Sequence, residues 1–337
     1  MISTHINSEE MFESVLEGYR NYNAKQGTAV IKLVFLILMN QNIDQLGCCY
    51  NLCLAYLRTL FQVDGLSDKF NNVAFSLSDI LQVIRPQVSL HFNFMIDIEW
   101  LIQQYPAPCR QSPMVLVVGE KMGSDKRSLQ QEISANKWSN VSVHGARLPL
   151  PFGTHHTKLS IFESETGLHI IVSTANLIEG DWDQKTQCFY YASGPFLNSE
   201  SAATESGFSK DLCDYLSEYH LSDLTYWIDR IKNCDLSDIS DRLVFSVPGY
   251  HQVPRLNKYG HPSLAQLLRN RPVPERNARR LFLAQCSSIG SLGAKRETWL
   301  LPQFLHSLQG AKEPGLVFEL CRGFFSSIHA LKMYVTH

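Results

Sequence analysis

Two short apolar runs, PMVLVVGE at 113–120 and NVSVHGARL at 140–148, flank a polar stretch long enough for one helix. The first run is bounded by Pro113 and Gly119 and reads as a buried strand. Ser128, with Gln131 three places on, reads as the N-cap and capping-box partner of a helix reaching about Lys137. The second run reads as the next strand. Strand, helix, strand leaves the chain little choice: the strands pair in parallel through a right-handed crossover. The class is therefore α/β.

At 337 residues the chain has room for two domains with sizeable cores. A net charge of -2 excludes a protein that coats long stretches of nucleic acid with a broadly basic surface. It leaves room for a small basic pocket that grips one phosphate. The nine cysteines include no CxxC pair and no zinc-spaced second pair, which fits reduced thiols inside a cell. The most apolar run, AVIKLVFLILM at 29–39, is 11 residues long. A membrane helix needs about 20. The run reads as a core helix or strand, and the acidic opening MISTHINSEE argues against a signal peptide.

Helices are expected over 76–84 and 97–104. Two more are expected where Leu212, Tyr215, Leu216 and Tyr219, then Leu224, Trp227, Ile228 and Ile231, recur at helical spacing. DRLVFSVPGY at 241–250 reads as a strand ending at a Pro-Gly break, with a domain boundary near 245. RNRPVPERNARR at 269–280 is a solvated connector or, with its clustered arginines, a contact for a DNA backbone. LFLAQCSSIGSLG at 281–293 is a strand running into a Ser/Gly loop, a form suited to anions.

The chemistry is carried by HTKLSIFE and LHIIVSTAN, two strands joined by the hairpin turn SETG. Alternation puts His156, Lys158 and Ser160 on one face and His155, Thr157, Leu159 and Ile161 on the other. With Glu165-Thr166-Gly167 as a three-residue loop and Gly167 left-handed, Ser164 pairs with Leu168. His156 then lies across from Asn176, and Lys158 across from Thr174. Opposed Cβ atoms are roughly 5 Å apart, so imidazole, ammonium and carboxamide would share one patch. A two- or four-residue turn would put Asn176 on the other face unless a bulge intervened. Neutral imidazole can attack phosphorus while Lys and Asn hold its non-bridging oxygens. No metal is needed, and His155 and His156, as strand neighbours, point to opposite faces and cannot chelate together.

FGTHHTK, STANLIEGDW and QKTQ together resemble the first signature of the tyrosyl-DNA phosphodiesterases, a branch of the phospholipase D superfamily. The resemblance extends through NFMIDIEWLIQQYP, FSKDLCDYLSEY, LTYWIDRIKNCDLS and QCSSIGSLGA, from roughly Leu60 to Leu308. It implies two similar α/β/α sandwich domains with mixed sheets, each giving one His-Lys-Asn set. It also implies a metal-independent, cofactor-free phosphodiesterase that removes tyrosyl or topoisomerase-peptide adducts from DNA 3′ phosphates in repair and trims other 3′ blocks. By that resemblance His156 is the nucleophile that forms a phosphohistidine, and Lys158 and Asn176 bind phosphoryl oxygens. Gln187 matches a glutamine that orients the other histidine. Ser287 and Ser288 match serines on the DNA backbone, and Phe152 an aromatic near the strand end. The implied partner is a DNA 3′ end, single-stranded or duplex, and the implied compartment the nucleus.

The expected division is residues 1–59 without a counterpart, 60–245 as the first phospholipase D-like domain, and 246–337 as part of a second. The second His-Lys-Asn set is where the sequence departs from the family. In SSIHALKMYVTH, His329 and Lys332 are three apart, one place off the H-x-K pattern, and no Asn follows. The family's carboxylate that orients the nucleophile is absent too. Two expectations stay open: the active hydrolase, or a DNA-end-binding chain crippled for turnover.

Overall fold

The computed structural model describes residues 59–61, 64–65, 74–120, 124–149, 153–185, 187–198, 205–269, 280–286, 303–304, 306–308, 315–319 and 329–336. These fall into two compact units, one holding the residues up to Leu243 and the other those from Tyr250 on. Phe152, Ser287, Ser288 and the apolar run at 29–39 lie outside the described residues, as does almost all of the Arg-rich connector.

The first unit is built on an eight-stranded mixed sheet. Its strands are β1 (Thr59–Phe61), β2 (Ala74–Phe75), β3 (Val88–Phe92), β4 (Met114–Glu120), β5 (Val141–Arg147), β6 (Leu159–Glu163), β7 (Gly167–Ser173) and β8 (Cys188–Pro195), in the order β2-β1-β8-β7-β6-β3-β4-β5. β3, β4 and β5 run parallel, and β6, β7 and β8 form an antiparallel meander docked on β3. The α/β class and the parallel β4–β5 pair thus stand as the sequence pattern required.

Helices α1 (Leu77–Ile84), α2 (Ile98–Gln104), α3 (Ser124–Asn136) and the short α4 (Glu179–Asp183) contribute to one core. Ser76 caps α1 and shares a capping box with Asp79, and Asp97 caps α2. Apolar residues of α1 at helical spacing, Leu77, Ile80, Leu81 and Ile84, are all buried there. Trp100 and Trp182 join them, as do alternate residues of β4, Met114, Leu116 and Val118. Helices α5 (Gly207–Ser217) and α6 (Asp223–Lys232) engage residues of the alternate register. Tyr215 of α5 packs on Phe92, and Arg230 of α6 makes a bidentate pair with Glu163.

Three local readings are corrected. Ser128 is no cap: α3 already begins at Ser124, so Ser128 sits exposed in its second turn. Residues 241–250 form no strand. Side chains hold that segment where a ladder was expected: Arg242 and the Leu243 amide donate to Asp211, and Tyr190 donates to Asp241. The 159–173 hairpin also has a different register. Glu163, not Ser164, pairs with Leu168, so the turn is the two-residue Glu165-Thr166. The Ser164 amide donates to the Gly167 carbonyl at 2.9 Å, and the Ser164 hydroxyl accepts from the Gly167 amide at 3.3 Å, closing the turn without a left-handed glycine. Gly167 is needed for another reason: a Cβ there would stand 2.1 Å from the Gly194 carbonyl oxygen of β8.

The second unit contains α7 (Gly260–Arg269) and a three-stranded antiparallel sheet. Its strands are β9 (Arg280–Cys286), β10 (Gly315–Glu319) and β11 (His329–Thr336), in the order β10-β11-β9. β9 agrees with the strand expected from 281 on. β11 sets His329 opposite Cys286 and Lys332 opposite Leu283. The two therefore stand three places apart on one strand, not the two that H-x-K requires.

Candidate active site

Where β3 ends, β6 begins and β7 ends, one rim of the first unit's sheet collects the polar groups. Phe92, the last residue of β3, pairs with Leu159, the first of β6, and Leu159 pairs with Val172 near the end of β7. The C-terminal rim of parallel strands is where open α/β sheets place ligands.

Residues 156–158, expected as the start of a strand, have no regular structure and approach β6, together with 153–155, as a loop. Alternation survives in it all the same. His155 and Thr157 turn toward the α5 side, and His156 and Lys158 toward the rim. His155, 3% exposed, shares a hydrogen bond with the Tyr219 hydroxyl at 2.7 Å. That hydroxyl meets the Tyr215 hydroxyl at 2.6 Å, and Tyr215 donates to Thr157 at 2.9 Å. Gly119 makes room for the loop, because a Cβ there would stand 2.9 Å from the Cβ of His155. Burial first, then the charges of Lys158 and His156, push His155 down to about 4, so its ring is neutral near pH 7. It belongs to the loop's anchor.

Removing the hydroxyl in Tyr219→Phe leaves the His155 Nε2 buried without its partner. The expected cost is about 1–3 kcal/mol. It should appear as a lower urea midpoint with an unchanged slope.

On the rim side, His156 is exposed and Lys158 only 7% exposed. The Lys158 ammonium lies 3.0 Å from His156 Nδ1 and 3.5 Å from Nε2. The imidazole packs against Phe94 with ring centroids 5.0 Å apart, and the ammonium stands 5.9 Å from the same ring centre. Phe94 is itself 41% exposed beside the two. Its loop is zipped to 175–177 through Leu177 N–H to the Met95 carbonyl and Asp97 N–H to the Leu177 carbonyl. Burial pulls Lys158 down to about 8, with the charge of Asp181 opposing. Burial, then the neighbouring ammonium, lowers the imidazole of His156 below its ordinary value. A neutral nucleophile and a charged donor therefore coexist near neutral pH.

Asn176 reaches this region by a different route from the one the hairpin count gives. The ladder ends where the Ser173 amide donates to the Lys158 carbonyl, so Lys158 faces Ser173, not Thr174. The chain then bends. Asp181 Oδ2 accepts from the Asn176 backbone amide at 2.9 Å and from its side-chain Nδ2 at 2.8 Å, and Trp182 Nε1 donates to the Asn176 carbonyl at 2.9 Å. Gln187 accepts from the Thr174 hydroxyl, which in turn accepts from the Cys188 amide. The structure thus joins His156 to Lys158, Asn176 to Asp181, and Gln187 to Thr174.

Phe94, Asp181 and the Tyr215–Tyr219 pair are the neighbours that sequence reasoning did not assign. Each had a signal: an aromatic after β3, a carboxylate five places beyond the Asn, and two tyrosines one helical turn apart. The arrangement suits nucleophilic attack by imidazole on an anionic phosphorus centre beside a fixed cation.

Comparison with known proteins agrees. The family model described as tyrosyl-DNA phosphodiesterase matches residues 58–317. A probable tyrosyl-DNA phosphodiesterase of Caenorhabditis elegans is 48% identical over 243 residues, 70% of this chain and 52% of that protein. Tyrosyl-DNA phosphodiesterase 1 of Drosophila melanogaster is 36% identical over 236 residues, 67% of this chain and 39% of that one. The chain thus matches about half, or less, of the length of these relatives. The crystal structure of the yeast tyrosyl-DNA phosphodiesterase superposes with a TM-score of 0.56 at 20% identity, covering 76% of this chain and 58% of that one, which establishes a shared fold. With the family model spanning both units, from β1 into β10, and the H-x-K loop set at the rim of its sheet, this chain belongs to the tyrosyl-DNA phosphodiesterase family.

Proposed function

We propose that this chain carries out tyrosyl-DNA phosphodiesterase chemistry, freeing DNA 3′ phosphates of tyrosyl or peptide adducts during repair in the nucleus. The observation that carries it is the His156–Lys158 contact at 3.0 Å, with the imidazole exposed and the ammonium buried beside it. In the first step an imidazole nitrogen of His156 bonds to phosphorus, the bond from phosphorus to the tyrosine oxygen breaks, and the phenolate takes up a proton. Lys158 moves its hydrogen bonds from the imidazole to the phosphoryl oxygens, which frees the ring nitrogen it had occupied. Water then cleaves the phosphohistidine, leaving a 3′ phosphate and free His156. Asn176 donates to a phosphoryl oxygen, and Gln187, Phe152, Ser287 and Ser288 contact the substrate or order the site. The chain's own residues suffice without a metal or cofactor. In this reading the first unit is a phospholipase D-like α/β/α sandwich, and the β9–β11 sheet belongs to a second, similar domain.

One observation favours a second reading. His156-Thr157-Lys158 is the one H-x-K in the 337 residues, and His329 and Lys332 stand three places apart on β11. A general acid contributes about 10²–10⁴-fold. Without one, tyrosine release by this polypeptide is slow and the chain acts as a DNA-end binder that holds its adduct. The two readings part on the leaving group. Thymidine 3′-(4-nitrophenyl phosphate) expels a phenolate that needs no protonation, so a stoichiometric burst is expected under both readings. A 3′-phosphotyrosyl oligonucleotide gives multiple turnovers only under the first. Absence of a burst would contradict both.

The burst should also show two pH limbs. Attack needs neutral His156, so the rate rises with pH through the lowered imidazole value. Stabilisation needs charged Lys158, so the rate falls as pH passes about 8. Stopped-flow rates across pH 5 to 10 check both signs.

A further inference from the structure

Asn176 has no grip of its own on its amide orientation. Its Oδ1 is buried with no hydrogen-bond partner among the described residues, and its Nδ2 has one, Asp181. A carboxylate only accepts, so Asp181 decides which end of the amide turns to it. We propose that Asp181 is a positioning residue of this site, locking the Asn176 amide so that its second N–H is presented to a phosphoryl oxygen.

The carboxylate is built for that work. It is 3% exposed, and its Oδ2 takes both the backbone and the side-chain nitrogen of the same residue. The other oxygen, Oδ1, is held by Lys185 at 2.5 Å. Burial works to raise the carboxyl, but the hydrogen bonds from Lys185 and Asn176 outweigh it and keep it ionised. A charge-assisted bond of this kind is about twice as strong as a neutral one. A second effect follows from the charge. Lys158 is surrounded by His156, His155, the Phe94 ring and Asp181, and Asp181 is the one anion among them that opposes its loss of a proton. Both donors that would meet the phosphoryl group therefore depend on one carboxylate.

The inference rests on the reading of His156 as nucleophile, and the test separates the two. Asp181→Asn is nearly isosteric and keeps an acceptor for the Asn176 backbone. Its amide oxygen can still take both Asn176 nitrogens from the Oδ2 place, so it removes the charge alone, whereas Asp181→Leu, of similar volume, removes the acceptor as well. With the nitrophenyl substrate and at a pH below the alkaline limb, where Lys158 stays charged in every variant, Asp181→Leu should slow the burst at least about tenfold, as Asn176→Ala does, and the Asp181→Leu, Asn176→Ala double variant should be no slower than Asn176→Ala alone. In both Asp181→Asn and Asp181→Leu the alkaline limb should move to lower pH, by about one unit, because an opposite charge near Lys158 is gone. A purely structural role would give additive losses and an unmoved limb, and either result overturns the proposal. A readout without turnover covers the case in which wild type gives no burst. In chain labelled with ¹⁵N-asparagine, the Asn176 side-chain amide should show one strongly downfield proton in wild type, absent in Asp181→Leu. An unchanged pair of resonances overturns the proposal whatever His156 does.

Discussion

His156→Ala loses the nitrophenolate burst altogether, at least about a thousandfold in rate, because no other described side chain at this rim can take its place as nucleophile. His155 is the nearest rival in sequence. It is buried, engaged with Tyr219 and turned to the other side of the loop. Lys158 is charged near neutrality and lacks a free electron pair. The loop should keep its anchor in the variant, since Tyr219, Tyr215 and Thr157 remain linked to His155. The thermal midpoint should therefore stay close to wild type while chemistry disappears. A burst that survives His156→Ala at near wild-type rate would place the nucleophile elsewhere.

Lys158→Met is the second large effect. The methionine keeps much of the apolar stem in a nearly buried position and removes the cation. Loss of one preorganised donor to a developing oxyanion costs about 10²–10³-fold in rate. The alkaline limb should vanish with it, since Lys158 is the group whose proton that limb reports. The acid limb should move up in pH, because the ammonium that helps depress His156 is gone. Lys158→Arg offers the complementary case. A guanidinium stays charged at every pH of the assay, so the alkaline limb disappears even if the longer fork fits poorly. Retention of an unchanged alkaline limb in Lys158→Met would assign that limb to another group.

Much of this architecture was legible in the residues, and the failures have physical causes. Leu77, Ile80, Leu81 and Ile84 recur at helical spacing behind Ser76, so α1 could be read directly. The crossover from β4 to β5 followed from chain connectivity alone. β3, which lies between β4 and β6 in the sheet, carries little signal in its residues, although VSLHF is buried almost throughout. A five-residue run after Pro86 offers little periodicity to count. The hairpin register slipped by one because a serine hydroxyl, not a left-handed glycine, closes the turn. Glycine at 167 answers to crowding by β8, not to a left-handed turn. That slip would have moved Asn176 to the wrong face had the strand continued. The bend after Ser173 and the grip of Asp181 replace the ladder there, and no count along a strand anticipates a side chain that hydrogen-bonds across a bend.

The central claim is that phosphorus is transferred to an imidazole of this chain, and it is tested most directly by finding the bond. Wild-type chain mixed with thymidine 3′-(4-nitrophenyl phosphate) and quenched at high pH should gain one thymidine 3′-phosphoryl group by intact mass. Peptide mapping should place it on His156, and brief acid treatment should remove it. Nitrophenolate released with no covalent intermediate, or an adduct mapped to any residue but His156, would contradict the account.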